Sequence, residues 1–213
     1  MDSRIPPCSK GCSVDYTGSS PPRGGGTGAA PSSVKIVVSG GFGVGKTTFV
    51  SSVSEITPLT TEAIMTAAGT HVDRLTAIPD KTTTTVAMDF GRVTLAEDLV
   101  LYLFGTPGQH RFWFMWDDLA RGAIGAVVLV DTRRLADCFP AVDYFEKSGL
   151  PFVVGVNGFD GVFPHRLEDV REALTLSPHV PLIECDARGR ESTKTALIAL
   201  VEHALRVRTS ATP

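Results

Sequence analysis

The chain has 213 residues, of which 43% are hydrophobic, and its formal net charge is −3. This length favours one globular domain, or one domain with an appendage, and the hydrophobic fraction is ample for a buried core. The acidic balance excludes a broad basic face for nucleic acid or for an anionic membrane, although a pocket for one phosphate chain needs only a few donors.

The N-terminal part of the chain, residues 1–33, is dominated by Ser, Pro and Gly. Such a composition buries too little apolar area to offset the entropy of ordering, so we expect a disordered tail. Cys8 and Cys12 lie in this tail without a second ligand pair at zinc-site spacing, which favours free thiols. The sequence offers neither the pattern of a signal peptide nor the roughly 20 apolar residues of a membrane span. We therefore expect a cytoplasmic protein with no transmembrane segment.

From Val34 onwards, short apolar runs alternate with stretches of helical character. The runs predict six strands, at Val34–Ser39, Thr84–Val93, Leu99–Phe104, Ala123–Val130, Phe152–Val156 and Pro181–Glu184. Helices are predicted from Lys46 and at about 111–121, 134–147, 165–175 and 191–207. This alternation predicts an α/β fold with a mostly parallel six-stranded sheet between two helical layers. The turn-like Ala96-Glu97-Asp98 joins two strands directly and predicts one antiparallel edge hairpin.

The segment Gly40–Thr47 (GGFGVGKT) matches the pattern G-x4-G-K-[ST] between a predicted strand and a predicted helix. In that context the glycines let backbone N–H groups turn towards a phosphate chain, and the helix N-terminus adds partial positive charge. Lys46 is expected to reach the β- and γ-phosphates, and the Thr47 hydroxyl to bind Mg²⁺. A Gly-rich turn with an incidental lysine is the alternative interpretation. The predicted phosphate-binding residues are Gly41, Phe42, Gly43, Val44, Gly45, Lys46, Thr47 and Thr48.

Two segments resemble the switch regions of Ras-like GTPases. Phe104–Gln109 (FGTPGQ) resembles the D-T-A-G-Q segment of that family, and Thr85–Phe90 (TVAMDF) resembles the T-I-G-V-D-F segment of its Rab type. The resemblance implies that the Gly108 amide contacts the γ-phosphate, that Gln109 orients the attacking water, and that Thr85 ligates Mg²⁺. The run of four threonines that ends at Thr85 leaves the choice of switch threonine open, and a Thr-rich strand face is the alternative.

Two further segments resemble the base-binding motifs of the same family. Asn157–Asp160 (NGFD) follows an apolar strand as N-K-x-D does, and Glu184–Arg188 (ECDAR) resembles E-x-S-A-K. In the family the aspartate, here Asp160, accepts hydrogen bonds from N1–H and the 2-amino group of guanine. Adenine lacks the 2-amino group and would face the carboxylate with an acceptor nitrogen, so such a site discriminates strongly between the bases. The predicted base-binding residues are Asn157, Asp160, Asp186, Ala187 and Arg188.

The resemblance covers residues 34–207 and implies a P-loop NTPase of the Ras-like kind, a G domain over residues 34–209. It is nearest to the bacterial branch that includes the MglA-type proteins and the conservon GTPases of actinobacteria, because of the T-P-G-Q sequence and the extra residues between Val53 and Asp80. This branch implies a GTP/GDP switch that hydrolyses GTP slowly and is stimulated by a roadblock/LC7-type partner. In conservons the gene neighbours include a sensor-kinase-like membrane protein, which would recruit the chain to the membrane periphery.

Two glycines depart from the family pattern. Gly105 stands where an aspartate normally holds Mg²⁺ through water, which weakens metal coupling unless Asp80, Asp89 or a partner supplies the charge. Gly158 stands where the lysine of N-K-x-D normally packs against the base and the P-loop. These departures keep open a pseudo-GTPase that binds nucleotide as a structural ligand. An ATP-dependent P-loop enzyme is the rival enzyme class, although it leaves Asp160 unexplained.

Phosphoryl transfer needs a cation that neutralises the developing charge. Arg74, which precedes the switch threonine, is preferred for this role over Arg111, and a solvated arginine is the alternative for each. The aromatic segment His110–Trp116 is predicted to offer a partner-binding surface, because one helical face cannot bury all of its rings. Asp131–Arg134 (DTRR) is interpreted as a solvated helix end with a basic pair.

Overall fold

The computed structural model describes residues 32–57, 59–65 and 84–210, with the backbone alone for 59–65, 84–87 and 110. Most of the predicted tail lies outside the described residues, as do Arg74 and Asp80. One sheet is formed by seven strands, which are β1 (Ser32–Gly40), β2 (Leu59–Met65), β3 (Thr84–Ala96), β4 (Leu99–Gly105), β5 (Ala123–Val130), β6 (Phe152–Asn157) and β7 (Leu182–Cys185).

The strand order across the sheet is β2-β3-β4-β1-β5-β6-β7. β1 lies between β4 and β5 and is parallel to both, and β6 and β7 continue the parallel part. β3 is antiparallel to both of its neighbours, β4 and β2. The predicted α/β architecture, with a mostly parallel sheet and an antiparallel edge, is confirmed.

The sheet has seven strands, one more than the six that we predicted, and the additional strand lies at the antiparallel edge. β2 pairs with β3 from Leu59 opposite Phe90 to Met65 opposite Thr84. Its sequence, LTTEAIM, has neither the alternation nor the continuous apolar character that marks a strand, so it was not predictable from periodicity. The ordered domain also begins slightly earlier than predicted, since β1 begins at Ser32, two residues before the predicted boundary.

The helices within the described residues are α1 (Lys46–Val53), α2 (Trp116–Ala120), α3 (Phe139–Ser148), α4 (Leu167–Ala173) and α5 (Arg190–Ser210). The helices predicted at about 111–121 and 134–147 each begin as a 3₁₀ helix, at His110–Met115 and Thr132–Cys138. α3 carries Pro140 in its first turn, where the missing N–H has no intrahelical partner to lose. None of the helices in this part of the chain is long and apolar enough to cross a membrane.

The central strands carry apolar side chains on both faces, which explains why their sequences are continuous apolar runs. Ile36 and Val38 of β1 pack with α1 and α5 on one face, and Val37 packs with α2, α3 and α4 on the other. Phe49 of α1 and Phe145 of α3 are the bulkiest of the fully buried side chains. Because β1, β4, β6 and β7 run in the same direction, the loops that follow them meet at one edge of the sheet.

We expect Leu200→Ala in α5 to destabilise the fold by about 2–5 kcal/mol, because it leaves a cavity between the helix and the sheet. Leu200 is fully buried, whereas Leu205 in the same helix is 57% exposed. The matched control Leu205→Ala should change the free energy of unfolding by about 0.5 kcal/mol or less. Urea unfolding of both variants measures the difference, and equal losses would show that α5 does not pack on the sheet as described.

Candidate nucleotide-binding site

The loop between β1 and α1 has the backbone of a phosphate-binding loop. Gly40 has a φ of 136°, and a Cβ there would collide with the carbonyl oxygen of Leu129 in the neighbouring strand. Gly45, with a φ of 106°, starts α1, and a Cβ on it would lie 2.9 Å from Nδ2 of Asn157. Only glycine fits both positions, so the glycines of the predicted motif serve the tight turn that the prediction required.

The Lys46 side chain is folded into this loop. Its Nζ donates hydrogen bonds to the carbonyl oxygens of Gly40 (3.0 Å) and Gly41 (2.7 Å), and the residue is only 8% exposed. Burial lowers the pKa of the Lys46 ammonium to about 8, against the opposing attraction of the Asp89 carboxylate. A Cβ on Gly108 would lie 2.8 Å from Lys46 Nζ, so the backbone of the predicted switch segment closes directly over the ammonium group.

A carboxylate stands beside the predicted magnesium ligand. The Thr47 hydroxyl donates a hydrogen bond of 2.8 Å to Oδ2 of Asp89, which lies on β3. A Cβ on Gly105 would lie 3.0 Å from the same oxygen, so the Asp89 carboxylate occupies the space beside residue 105. Hydroxyl and carboxylate oxygens are ligands that Mg²⁺ prefers. The described residues hold no cluster of three or more His, Cys, Asp or Glu, so a metal here would also need phosphate oxygens.

Gly108 and Gln109 line a pocket of about 460 Å³ together with P-loop residues. Gln109 is exposed, and its Oε1 accepts a hydrogen bond of 2.8 Å from Nε of Arg111. The Arg111 guanidinium lies 4.7 Å from the centre of the Phe112 ring. Gln109 is thus at the pocket with its amide oxygen held by a neighbouring cation. The other lining residues are Phe42, Gly43, Gly45, Lys46, Thr47, Thr48, Asp89, Thr106, Pro107 and Phe112.

Asn157 connects the P-loop to the loop after β7. Its Nδ2 donates to the Val44 carbonyl oxygen at 2.9 Å, and its Oδ1 accepts from the Ala187 amide at 3.0 Å. The residue is 7% exposed, and both ends of its amide group are bonded to the protein. Asn157 therefore holds the P-loop and the loop after β7 together, and its two hydrogen bonds bring Ala187 close to the P-loop.

The predicted base-reading carboxylate lies at the same edge and is exposed. Asp160 has a φ of 57° and a side chain that is 86% exposed. Its Oδ1 forms an ion pair of 2.9 Å with Arg188, whose side chain also reaches Asp186 at 3.4 Å. These two carboxylates raise the pKa of the Arg188 guanidinium above its usual range. The structure thus places Asp160, Asp186, Ala187 and Arg188 close together, and their role in base binding stays a prediction.

The sequence did not reveal how Gly158 and the residues after β5 contribute. A Cβ on Gly158 would collide with the ring of Phe163, which covers this position. Arg133 lies 3.5 Å from the centre of the Phe159 ring, and its hydrogen bond holds the pKa of Asp131 below the usual range. These residues follow the strands β5 and β6 at the carboxyl edge of the sheet. Their position after buried strands is the signal that could have found them.

Thr85 is the predicted metal ligand for which the structure describes the backbone alone. It lies in β3 opposite Ile64 of β2. Four residues separate it from Asp89 along a continuous strand, a distance of about 13 Å at 3.3 Å per residue. Its role as a metal ligand stays a prediction.

The aromatic segment divides between the core and the surface. Phe112 (5% exposed) and Trp116 (3%) are buried, whereas Phe114 is 56% exposed. Phe42 of the P-loop is 63% exposed and lines the same pocket as Gln109. Two exposed phenylalanines therefore lie in the loop and the segment that border the pocket.

Residues 38–207 match a protein family described as "Conserved hypothetical ATP binding protein". The chain belongs to this family. A curated relative is the uncharacterized protein MJ1339 of Methanocaldococcus jannaschii, which is 29% identical over 129 residues, or 60% of this chain and 71% of the relative. With the P-loop geometry, the family membership supports nucleotide binding.

Solved structures with a similar fold include two iron-transporter domains. The cytosolic domain of the T. maritima FeoB iron transporter in its apo form superposes with a TM-score of 0.57 and 14% identity, over 81% of this chain and 64% of that chain. The FeoB G-domain from Methanococcus jannaschii superposes with a TM-score of 0.53 and 13% identity, over 81% of this chain and 98% of that one. At these identities the likeness shows the fold alone, that of G domains.

We expect nucleotide binding at about pH 8 to take up about half a proton, because burial lowers the pKa of Lys46 to about 8 in the free protein and phosphate oxygens will raise it. Calorimetric titrations in two buffers of different ionisation enthalpy measure the uptake. It should vanish below about pH 6, and the affinity should fall as the pH rises above about 8.

The control variant Lys46→Met removes the titrating group, so any binding that it retains should release the same heat in both buffers. Buffer-independent heats for the unmodified protein at about pH 8 would contradict the assignment of Lys46 as the group that takes up the proton.

Proposed function

We propose that the protein is a guanine-nucleotide-binding switch that hydrolyses GTP slowly. The observation that carries this proposal is the contact chain from Val44 through Asn157 to Ala187, with the exposed Asp160 carboxylate beside it. It couples the phosphate loop to a loop that would border the base. A carboxylate in that position accepts hydrogen bonds from N1–H and the 2-amino group of guanine, which adenine does not offer.

The residues of the pocket supply the parts that phosphoryl transfer requires. The Lys46 ammonium and the inward N–H groups of the P-loop would neutralise charge on the phosphate chain, and Gln109 would orient the attacking water. Arg111 would hold the Gln109 carbonyl in place, which makes it a positioning residue. Arg74, which lies outside the described residues, is proposed as the cis cation on the sequence argument alone.

The Thr47 hydroxyl and the Asp89 carboxylate fit Mg²⁺ and would hold it in the proposed complex. Mg²⁺ held by these residues would supply positive charge that offsets the negative charge of the phosphate chain. Two contacts of the Asp89 carboxylate support this proposal: it lies 2.8 Å from the Thr47 hydroxyl, and it lies beside Gly105. Residue 105 is the position at which Ras-like GTPases, which the sequence resembles, have an aspartate. The charge that residue 105 lacks would thus come from the neighbouring strand.

The biological setting that we propose follows the resemblance to MglA-type and conservon GTPases. The γ-phosphate would order the Gly108 loop, and hydrolysis would release it. A roadblock/LC7-type protein would read this change in a bacterial signalling complex, with a sensor-kinase-like membrane protein as a further member. The exposed rings of Phe42 and Phe114 support a binding surface beside the pocket.

Two other functions have their own supporting observations. The description of the family as ATP-binding favours adenine nucleotides. Gly105 and Gly158 favour a pseudo-GTPase that binds nucleotide without hydrolysing it. Competition between GDP and ADP for the protein distinguishes an adenine-nucleotide enzyme from the proposed switch. Single-turnover hydrolysis of GTP with a candidate partner distinguishes a pseudo-GTPase from it.

We expect Asp160→Ala to weaken GDP binding by roughly 100-fold or more, because the two donors of guanine lose their acceptor. Binding of ADP should change little, since adenine makes no such contact. Displacement of fluorescent GDP and ADP from the purified protein measures both affinities.

Asp143→Ala removes an exposed carboxylate of α3 that does not line the pocket, and it should leave both affinities unchanged. An unmodified protein that prefers ADP, or an Asp160→Ala variant that binds GDP normally, would refute guanine recognition by Asp160.

Mg²⁺ is expected to increase the affinity for GDP. We expect Asp89→Ala to make this increase about tenfold smaller, because one carboxylate near the metal is lost. GDP dissociation in Mg²⁺ and in chelator measures this gain. The rate in chelator should be almost unchanged.

Asp98→Ala is the matched control, since Asp98 is exposed in the turn of the same hairpin at its opposite end. If Asp89→Ala responded to Mg²⁺ as strongly as the unmodified protein does, Asp89 would have no part in metal binding.

A further inference from the structure

The loop after β5 places an arginine against the P-loop from outside the nucleotide pocket. Nη2 of Arg134 donates a hydrogen bond of 2.6 Å to the carbonyl oxygen of Phe42. The same guanidinium lies 3.6 Å from the carboxylate of Asp137 and 3.8 Å from that of Asp131. A Cβ built on Gly43 would come within 3.3 Å of it. The Arg134 side chain is 49% exposed, and two carboxylates lie beside it while it bonds to the turn of the P-loop.

This hydrogen bond determines which way the next amide group points. In a planar trans peptide the carbonyl and the N–H point in opposite directions. The carbonyl of Phe42 and the N–H of Gly43 belong to one peptide, so a donor on the outer carbonyl turns the Gly43 N–H inward. Gly43 lines the pocket of about 460 Å³ that also contains Lys46 and Thr47. The Gly43 N–H therefore faces the space in which a phosphate chain would lie.

The end of the neighbouring strand β6 offers no side chain that donates a hydrogen bond to the Phe42 carbonyl. Gly158, at the end of β6, stands where the family pattern has a lysine, and the ring of Phe163 covers the place of its Cβ. Asn157 donates its hydrogen bond in the P-loop to the Val44 carbonyl and not to the Phe42 carbonyl. Within the described residues, the cation that supports the Phe42–Gly43 peptide comes from the end of β5.

We infer that Arg134 is a positioning residue for the phosphate chain, which holds the Phe42–Gly43 peptide with its N–H turned towards the ligand. The residue itself does not touch the nucleotide. The inference rests on nucleotide binding as proposed above, and it is independent of which base is bound. It adds a contact with the P-loop to the interpretation of Arg134 as part of a solvated helix end, since the side chain is also 49% exposed.

The first measurement is the dissociation rate of a fluorescent nucleotide, GDP or ADP according to which one the full-length protein binds. Arg134→Ala should release it about tenfold faster, the effect expected from the loss of one hydrogen bond to a charged group. Arg134→Lys keeps a cationic donor and should recover most of the difference. Arg121→Ala removes an exposed arginine at the opposite end of β5 and should not change the rate.

The second measurement separates positioning from a general loss of stability. In the unmodified protein the ¹⁵N-glycine spectrum should show the Gly43 amide proton moving downfield when nucleotide binds. Arg134→Ala should lose this shift while the Gly45 amide keeps its own. A variant that binds normally, or that loses both shifts together with its thermal midpoint, overturns the inference.

The two proposals can fail separately. An unmodified protein that binds ADP in place of GDP refutes the guanine switch and leaves the role of Arg134 to be measured with ADP. An unmodified protein that binds GDP, with an Arg134→Ala variant of equal dissociation rate, refutes the role of Arg134 and leaves the switch intact. Failure to bind either nucleotide refutes both.

Discussion

The site depends on one constraint, which is that the carbonyl groups of the tightly turned P-loop must each find a donor, since an unsatisfied peptide group costs free energy. The carbonyls of Gly40 and Gly41 accept from the Lys46 ammonium within the loop. The carbonyls of Phe42 and Val44 accept from Arg134 and Asn157, which do not line the pocket. The loop is thus held from β5, from β6 and from its own helix, and its conformation does not rest on glycine flexibility alone.

The same arrangement explains how the chain accommodates glycine at two positions where Ras-like GTPases, which its sequence resembles, carry charged side chains. The carboxyl ends of the parallel strands and the first half of the antiparallel β3 meet at one edge of the sheet, so a neighbouring segment can present a group of the required charge. Asp89 of β3 fills the space beside Gly105, and Arg134 after β5 supports the loop that a side chain at 158 cannot reach. Loss of a charged residue in a motif is therefore weak evidence for an inactive site when the adjacent strand ends carry the charge.

The remaining polar groups of the site are engaged with one another. The Arg188 guanidinium is shared between Asp160 and Asp186, and Arg111 holds the amide oxygen of Gln109. These exposed pairs are weak in water and exchange readily. In the proposed function, a bound guanine would take the place of Arg188 as the partner of Asp160, and a bound water would add a partner for Gln109. Weak pairs of this kind are consistent with loops that respond to a ligand.

The sequence by itself determined the features that arise from local pattern. The spacing of Gly40–Thr47, the apolar runs of five central strands and the order of the motifs predicted the fold and most of the pocket, because glycine turns and buried strands have short-range signatures. Tertiary structure alone decided the contacts between distant segments. Thr47 and Asp89 are 42 residues apart in the chain, and Phe42 and Arg134 are 92 apart. Such pairs, like the addition of β2 to the edge, depend on which strand ends become neighbours in the sheet, and no local periodicity encodes that choice.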